Sequence, residues 1–275
     1  MITADLHSHT LYSHAKDTVE AMAAAAFAKG LAVFGFSEHS LRPAGYRYAT
    51  DYQEKLAAGF PSYIEEVRAE QERYRGKMRV LLALEQDYIP AEEDFARAAC
   101  AAQPFDYVIG GLHFQGHWGF DGSAAEWADL SPAACETHFA RYYEDLERMA
   151  RTGLFQIAAH PDLVKLFKKD AFHAWLEKPE SLALVEKALV AMKECGMAME
   201  VSSAALRKGL GEPYPAPPLM RCAASINLPI SFGSDSHATG DVAFGFDELA
   251  AYAKSFGYTQ SVWFEQRVMQ FRSFI

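Results

Sequence analysis

The sequence predicts a parallel α/β barrel, and three observations favour this fold. Seven short apolar runs alternate with helix-like stretches or long connections. Several of these runs are hydrophobic almost throughout, as in strands of a parallel sheet that is covered on both faces. Histidine and acidic residues follow the runs, at the strand ends where barrel active sites are built. A length of 275 residues is also common for a single barrel.

The predicted elements follow one another without an evident linker, internal repeat or low-complexity tract, so residues 1–275 are predicted to form one domain. The predicted strands are Ile2–His7, Leu31–Ser37, Met78–Glu85, Asp106–Leu112, Leu154–Ala159, Met197–Val201 and Pro229–Ser234. The stretches of helical composition are Thr18–Lys29, Asp51–Arg75, Ala91–Ala102, Pro132–Thr152, Pro179–Cys195 and Leu219–Asn227. Gly30, Gly153 and Gly196 stand where helices are expected to stop.

Composition and charge exclude several classes of partner. The formal net charge of −10 argues against a long nucleic acid bound through the general surface field, and suits a site that gathers cations. No apolar run approaches the length of a membrane-spanning helix, and no charged-then-apolar leader opens the sequence. The four cysteines lie far apart without a CxxC pair, which is typical of reduced thiols. We therefore expect a cytoplasmic protein that does not bind a membrane.

The N-terminal stretch Asp5-Leu6-His7-Ser8-His9, followed by His14, is the first candidate site. In an extended strand Asp5, His7 and His9 would point to the same face. Two imidazoles and a carboxylate there would form half of a divalent-metal site, better suited to Zn, Mn or Fe than to Ca or Mg. The alternative is a surface strand that is rich in histidine by chance.

The positions of the remaining histidines decide between these readings. Chemistry-bearing residues follow successive predicted strands: His7 and His9, Glu38 and His39, Glu85, His113, His160, Glu200, and Asp235 and His237. With His14, seven of the ten histidines belong to this candidate set, and only His117, His138 and His173 fall outside it. This distribution favours a closed barrel over an open sheet, in which ligands gather at a switch point. It also indicates a multinuclear metal site.

In these motifs the sequence resembles the polymerase and histidinol phosphatase (PHP) superfamily. The motifs are Asp5-Leu-His7-Ser-His9, Ser37-Glu-His39-Ser, Leu84-Glu85-Gln-Asp87-Tyr88, Gly111-Leu-His113, Ala159-His160-Pro161-Asp162 and Gly233-Ser-Asp235-Ser-His237. They run in the family's order over essentially the whole chain. The resemblance implies a distorted (β/α)7 TIM-like barrel that holds three divalent metal ions, Zn, Mn or Fe. Chain length, Glu85-x-Asp87-Tyr88 and Ser203-x-x-Leu206-Arg207-Lys208 are most similar to the histidinol-phosphate phosphatase branch.

The resemblance also implies a role for each metal-type residue. The first ion would be held by His7, His9, Glu85 and Asp235, the second by Glu85, His113 and His160, and the third by His14, His39 and His237. A hydroxide that bridges two ions would attack phosphorus. Asp235, His237 or a metal-bound water would serve as the general acid. Asp5 is expected to orient a histidine ring from outside the ligand set.

Cationic residues near the strand ends are candidates for phosphate binding. Arg207, just past the sixth strand, is the first choice because a guanidinium matches phosphate with two parallel hydrogen bonds. Lys165 stands where relatives often have arginine, and would keep the charge without that geometry. Arg42 and Ser203 are further candidates for the substrate pocket, although a solvated loop position is the favoured interpretation of Arg42.

The leading hypothesis is a metal-dependent phosphomonoesterase that releases phosphate from L-histidinol phosphate in histidine biosynthesis. The reaction class rests on the metal cluster, and the substrate on the resemblance to one branch. The alternatives are a PHP-family phosphodiesterase or nuclease that acts on short nucleotides, and a metal-binding protein without catalysis. An amidohydrolase is less consistent, because strand 3 ends in Glu85 rather than in a bridging lysine. A small phosphomonoester is the expected partner, while the oligomeric state and the metal identity stay open.

Overall fold

Seven parallel strands form a barrel in this computed structural model, which describes residues 1–48 and 52–275. The described residues contain eleven strands, of which seven form the barrel and four form the two hairpins β5–β6 and β10–β11. They are β1 (Ala4–Asp5), β2 (Val33–Phe36), β3 (Arg79–Asp87), β4 (Tyr107–Gly111), β5 (Phe114–Gln115), β6 (Trp118–Gly119), β7 (Ile157–Ala158), β8 (Ala198–Ser202), β9 (Ile230–Gly233), β10 (Gln260–Glu265) and β11 (Val268–Ser273). Strands β1–β4 and β7–β9 pair in chain order. The Leu6 N–H donates to the Phe232 carbonyl at 3.0 Å, and Ser8 bridges Ser236, so the two edges meet. The predicted barrel is confirmed.

Helices cover the outside of the barrel. They are α1 (Val19–Ala28), α2 (Gln53–Arg73), α3 (Glu93–Ala101), α4 (Ala124–Ala128), α5 (Pro132–Arg151), α6 (Lys169–Leu176), α7 (Pro179–Glu194), α8 (Ala204–Arg207), α9 (Pro217–Ser225) and α10 (Phe246–Ser255). Each predicted helical stretch corresponds to one of them, although Asp51, the predicted start of the second, lies outside the described residues. Within 1–48 and 52–275, no helix has the length and apolar character needed to cross a bilayer.

The inside of the barrel is filled by apolar side chains towards the N-terminal ends of the strands. A separate buried cluster consists of Ala4, Leu6, Val33, Leu81, Ala83, Tyr107, Ile109, Ile157, Ala159, Ala198, Val262 and Phe264. The last two belong to the hairpin β10–β11, whose Arg267 N–H donates to the Asp106 carbonyl at 2.7 Å, just before β4. The hairpin therefore closes this end, and the mouth of the barrel is the end where the parallel strands finish.

A glycine in β2 gives room for the largest side chain of this interior. A Cβ placed on Gly35 would lie 1.7 Å from the Tyr107 hydroxyl oxygen. That hydroxyl donates to the Leu6 carbonyl at 2.6 Å and so connects β4 with the segment that follows β1. The contact excludes any side chain at position 35.

We expect Gly35→Ala to lower the free energy of unfolding by about 1–3 kcal/mol, because Tyr107 must move and lose its bond to Leu6. Urea unfolding followed by circular dichroism measures this change. Gly240→Ala is the matched control, since a Cβ there meets no atom within 4 Å. Equal stability of the two variants would contradict the packing argument.

Candidate metal centre

The carboxylate of Glu85 lies at the centre of the barrel mouth. It belongs to the C-terminal part of β3 and is 2% exposed. Five imidazole nitrogens from four segments of the chain surround it: His7 Nε2 at 3.4 Å, His160 Nε2 at 3.2 Å and His113 Nε2 at 3.6 Å from Oε1, and His39 Nδ1 at 2.9 Å and His9 Nε2 at 3.5 Å from Oε2. The structure thus brings together residues that lie far apart in the sequence.

The donor atoms around Glu85 form three overlapping groups that could each hold a metal ion. The groups are His7–His9–Glu85, Glu85–His113–His160 and His9–His39–His237. Among residues 1–48 and 52–275, the buried Nε2 atoms of His7, His9, His39 and His237 have no hydrogen-bond partner. Buried polar atoms are normally satisfied, so converging lone pairs without partners are consistent with divalent cations. The residues present therefore fit the metal ions that the sequence implies.

A second layer of carboxylates holds the imidazole rings. Glu200 Oε1 lies 2.7 Å from His7 Nδ1, and its Oε2 accepts from the His160 N–H at 2.6 Å. Asp87 is hydrogen-bonded to His113 Nδ1. A carboxylate on one ring nitrogen fixes the tautomer and directs the other nitrogen towards a metal. Glu200 and Asp87 are functional residues to which the sequence analysis gave no role.

Glu38 performs the same task for His9. Its Oε1 lies 3.4 Å from His9 Nδ1, while its Oε2 accepts from the Thr10 N–H at 2.9 Å. Its position directly before His39, at the end of β2, was the available signal in the sequence. A side chain next to a candidate ligand can reach a neighbouring strand end, but its orientation is visible only in the folded chain.

The expectation that Asp5 orients a histidine ring is not met. Its carboxylate accepts hydrogen bonds from the Ser234 N–H at 2.9 Å, the Ser234 hydroxyl at 2.6 Å and the Ala243 N–H at 2.9 Å. In the described part of the chain, none of its hydrogen bonds reaches an imidazole ring. The reason is that β1 ends at Asp5, so the strand alternation that placed Asp5 with His7 and His9 does not continue. Asp5 instead fixes the backbone just before Asp235.

The protonation of the cluster suits metal binding. Burial alone would raise the pKa of Glu85, but the neighbouring histidines, led by His7, hold it well below its usual value. Burial and the charge of His9 hold the pKa of His39 well below its usual value and lower that of His237 to about 3. The cluster thus offers an ionised carboxylate and, in His39 and His237, neutral imidazoles, which are the forms that bind divalent ions. Although burial works against it, the nearby carboxylates raise the pKa of His7 well above its usual value and that of His9 and His113 to about 9, so a bound cation would have to displace these protons.

His14 and Asp235 adjoin the three donor groups. The His14 ring centroid lies 4.9 Å from that of His39 and 4.5 Å from that of His237. Asp235 Oδ1 lies 3.3 Å from His9 Nε2. Asp235 (φ 49°) has a left-handed backbone, which is costly for a side chain with a Cβ and is typical of functional sites. The metal-ligand roles of both residues stay predictions.

A cleft of about 580 Å³ opens above the donor atoms. Its lining consists of His14, His39, Arg42, Arg47, Tyr48, Tyr52, Glu85, His113, His117, Trp118, Gly119, Asp121, Gly122, Ser123, Glu126, His160, Leu163, Lys208, Asp235 and His237. The favoured interpretation of Arg42 as a solvated residue is wrong. Its side chain is 2% exposed, bound to Asp87, and its Nη2 donates to the Tyr52 hydroxyl at 2.6 Å.

Lys165 does not reach the cleft. Its ammonium is fully buried and lies 2.8 Å from Asp162 Oδ2 and 2.9 Å from Glu212 Oε1, and it donates to the Pro213 carbonyl at 2.9 Å. Because two carboxylates and a carbonyl oxygen engage this buried charge, the prediction of a phosphate ligand is not supported. Lys165 instead attaches the segment around Glu212 to the barrel.

Arg207 is also engaged away from the cleft. Its Nη1 donates to the Ser234 carbonyl at 2.8 Å and its Nη2 to the Asp235 carbonyl at 2.6 Å. The guanidinium fork predicted for phosphate therefore holds the backbone of a candidate ligand. Ser203 is fully buried and does not line the cleft, whereas the next residue after Arg207, Lys208, does. The Lys208 ammonium lies 3.9 Å from Asp235 Oδ2, so this residue, which was not predicted, places a positive charge on the cleft wall beside a candidate ligand.

Comparison with known proteins is consistent with this geometry. The sequence model of the PHP domain matches residues 5–204. A Deinococcus radiodurans protein named "Probable histidinol-phosphatase" is 35% identical over 269 residues, 97% of this chain and 98% of its own. The histidinol-phosphatase of Bacillus subtilis is 26% identical over 260 residues, 88% of this chain and 96% of its own. The crystal structure of histidinol phosphate phosphatase from Lactococcus lactis, complexed with Zn, L-histidinol and phosphate, has a TM-score of 0.78 at 17% identity and 98% coverage of both chains.

We expect Glu200→Gln to weaken Zn²⁺ binding by about 10- to 100-fold. The amide offers one acceptor oxygen where the carboxylate serves both the His7 ring and the His160 N–H. Competition with a chromophoric chelator measures the affinity, and Glu248→Gln, an exposed position in α10, is the control. Unchanged affinity in a folded variant would show that Glu200 does not support the site.

We expect Lys165→Met to lower the free energy of unfolding by about 3–5 kcal/mol, because it leaves the fully buried Asp162 carboxylate without its cation and removes the ammonium beside the partly buried Glu212. Urea titration measures the change. The control is Lys187→Met, which removes an exposed pair with Glu147 at 2.9 Å and should cost about 0–1 kcal/mol. A stable Lys165→Met protein with impaired phosphate binding would restore the original prediction.

Proposed function

We propose that this chain, which belongs to the PHP family, hydrolyses L-histidinol phosphate to L-histidinol and phosphate, a step of histidine biosynthesis. The relatives named histidinol-phosphatases span almost the whole chain, so the prediction of a histidinol-phosphatase-like phosphoric monoester hydrolase is confirmed. The proposed reaction rests on one observation: histidine nitrogens converge on the Glu85 carboxylate at the floor of an open cleft.

Divalent ions would be held by the three donor groups, with His14 and Asp235 as additional ligands. When bound, such ions lower the pKa of water and polarise phosphate oxygens. We propose three ions, as the PHP resemblance implies. The imidazoles would present their Nε2 atoms to the ions because Glu200, Glu38 and Asp87 engage the opposite ring nitrogens.

The remaining cleft residues would bind and orient the phosphoester. Lys208 supplies a positive charge beside Asp235, where it would attract the phosphate and hold it over the donor cluster. Arg42 keeps Asp87 in place and thereby orients His113. Asp235 and His237 both lie on the cleft wall. Against the effect of burial, the hydrogen bond with His9 and the neighbouring positive charges hold the pKa of Asp235 well below its usual value, while burial lowers that of His237 to about 3, so neither holds a proton for the departing alcohol at neutral pH. The remaining alternative is that water at the bound ions would supply this proton.

The test is phosphate release from L-histidinol phosphate by protein loaded with Zn²⁺ or Mn²⁺. We expect its kcat/KM to exceed that for p-nitrophenyl phosphate by at least about tenfold, since specific contacts to the alcohol discriminate substrates by this order or more. Removal of metal with a chelator should abolish the activity, and added metal should restore it.

Two controls separate this function from the alternatives. Hydrolysis of bis-p-nitrophenyl phosphate without monoester hydrolysis would indicate a phosphodiesterase. Metal-loaded protein that cleaves neither ester would indicate a metal-binding protein without catalysis. His160→Ala should lose both activity and part of the bound metal, counted by elemental analysis, because His160 Nε2 lies 3.2 Å from Glu85.

A further inference from the structure

The outer wall of the cleft comes from one short segment of the chain. After β4, the hairpin β5–β6 and the turn that follows contribute Trp118 and Asp121 to the cleft lining. The Phe120 N–H donates to the His113 carbonyl at 3.2 Å. This bond folds the segment back onto the backbone of a candidate metal ligand, and Asp121, the next residue after Phe120, lines the same cleft as the donor cluster.

The Asp121 carboxylate has one hydrogen-bond partner in the described part of the chain. The Tyr48 hydroxyl donates to its Oδ1 at 2.5 Å. No ion pair joins Asp121 to a lysine, arginine or histidine among residues 1–48 and 52–275. A carboxylate can accept about four hydrogen bonds, so most of the capacity of this side chain is available to a ligand in the cleft.

Close packing holds the Tyr48–Asp121 pair in position. A Cβ on Gly119 would lie 2.5 Å from Tyr48 Cε1, and one on Gly122 would lie 3.2 Å from Tyr48 Cδ1. The Arg42 guanidinium covers the Tyr48 ring at 4.8 Å from its centroid. The orientation of the carboxylate is therefore set by the hydrogen bond from Tyr48, whose ring is closely packed against Gly119, Gly122 and Arg42.

The charges of the cleft are divided in a way that fits a zwitterionic ester. Lys208 lies beside Asp235, next to the donor cluster, while Asp121 contributes a negative charge from the outer wall. A substrate that fills the cleft would present its phosphate to the cluster and its alcohol to Asp121.

We propose that Asp121 binds the ammonium group on the alcohol part of the substrate, and so selects aminoalkyl phosphates over phosphates of alcohols without an amine. The inference rests on the proposed function and adds a specificity-determining residue to it. In L-histidinol phosphate the ammonium is two carbon atoms from the ester oxygen, so an ion pair with Asp121 would fix the alcohol while the phosphate lies at the cluster.

The experiment compares two esters that differ only in the amine: L-histidinol phosphate and 3-(imidazol-4-yl)propyl phosphate. For the wild-type metal-loaded enzyme we expect a higher kcat/KM for the aminated ester. Asp121→Asn keeps the size of the side chain and an acceptor for Tyr48 but removes the charge. It should reduce the ratio of the two kcat/KM values by about 10- to 100-fold, mainly through KM, as expected for loss of a charged hydrogen bond.

The matched control is Asp129→Asn, which removes the same charge from an exposed position at the end of α4 and should leave the ratio unchanged. An Asp121→Asn ratio equal to that of the wild type would overturn the proposal, whether both rates fall together or neither changes. Wild-type protein that hydrolyses neither ester would refute the proposed function itself, and the ammonium site with it. A wild-type enzyme that prefers the aminated ester, with an unaltered ratio in Asp121→Asn, would sink the ammonium site alone.

Discussion

The buried carboxylate of Glu85 is the constraint on which the rest of this structure depends. A carboxylate removed from water is costly unless charged or hydrogen-bonded partners surround it. Here five imidazoles approach within 2.9–3.6 Å. Because they come from the ends of four strands, β1, β2, β4 and β7, the strands must pair in one register for the charge to be satisfied. The backbones of His39 and Glu85 form a parallel β-bridge, and on its other side Glu85 pairs with Ile109 of β4. The site and the barrel closure thus stabilise each other.

Much of this site could be predicted because parallel strands of a barrel finish at one end. Histidines such as His7, His113 and His160 follow separate apolar runs, and barrel geometry then requires that they converge. The roles of Lys165 and Arg207 could not be read in this way. Each cation is engaged by groups that are distant in sequence, Glu212 in one case and the carbonyl of Ser234 in the other. Local sequence gives the charge of a side chain, but only the fold gives its partners.

The C-terminal hairpin was missed for a different reason. Its turn residues Gln266 (φ 49°) and Arg267 (φ 64°) are both left-handed, a conformation for which Asn-Gly is the usual sequence signal. Without that signal, no strand is predicted after Pro229–Ser234. In the structure, Val262 and Phe264 of this hairpin fill the closed end of the barrel. The hairpin covers the end of the barrel that the seven parallel strands would leave open.

The segment that forms the outer wall of the cleft lies between β4 and α5 and contributes only two-residue strands and a short helix. The barrel strands do not run through it, and the donors around Glu85 come from other parts of the chain, apart from His113 just before it. Substitutions in Trp118 to Glu126 can therefore change the shape and charge presented to the alcohol while the hydrolytic apparatus stays intact. The residues that would carry out hydrolysis and the residues that would select the alcohol thus lie on different parts of the chain. Selectivity can therefore evolve through one surface segment without changes in the barrel strands.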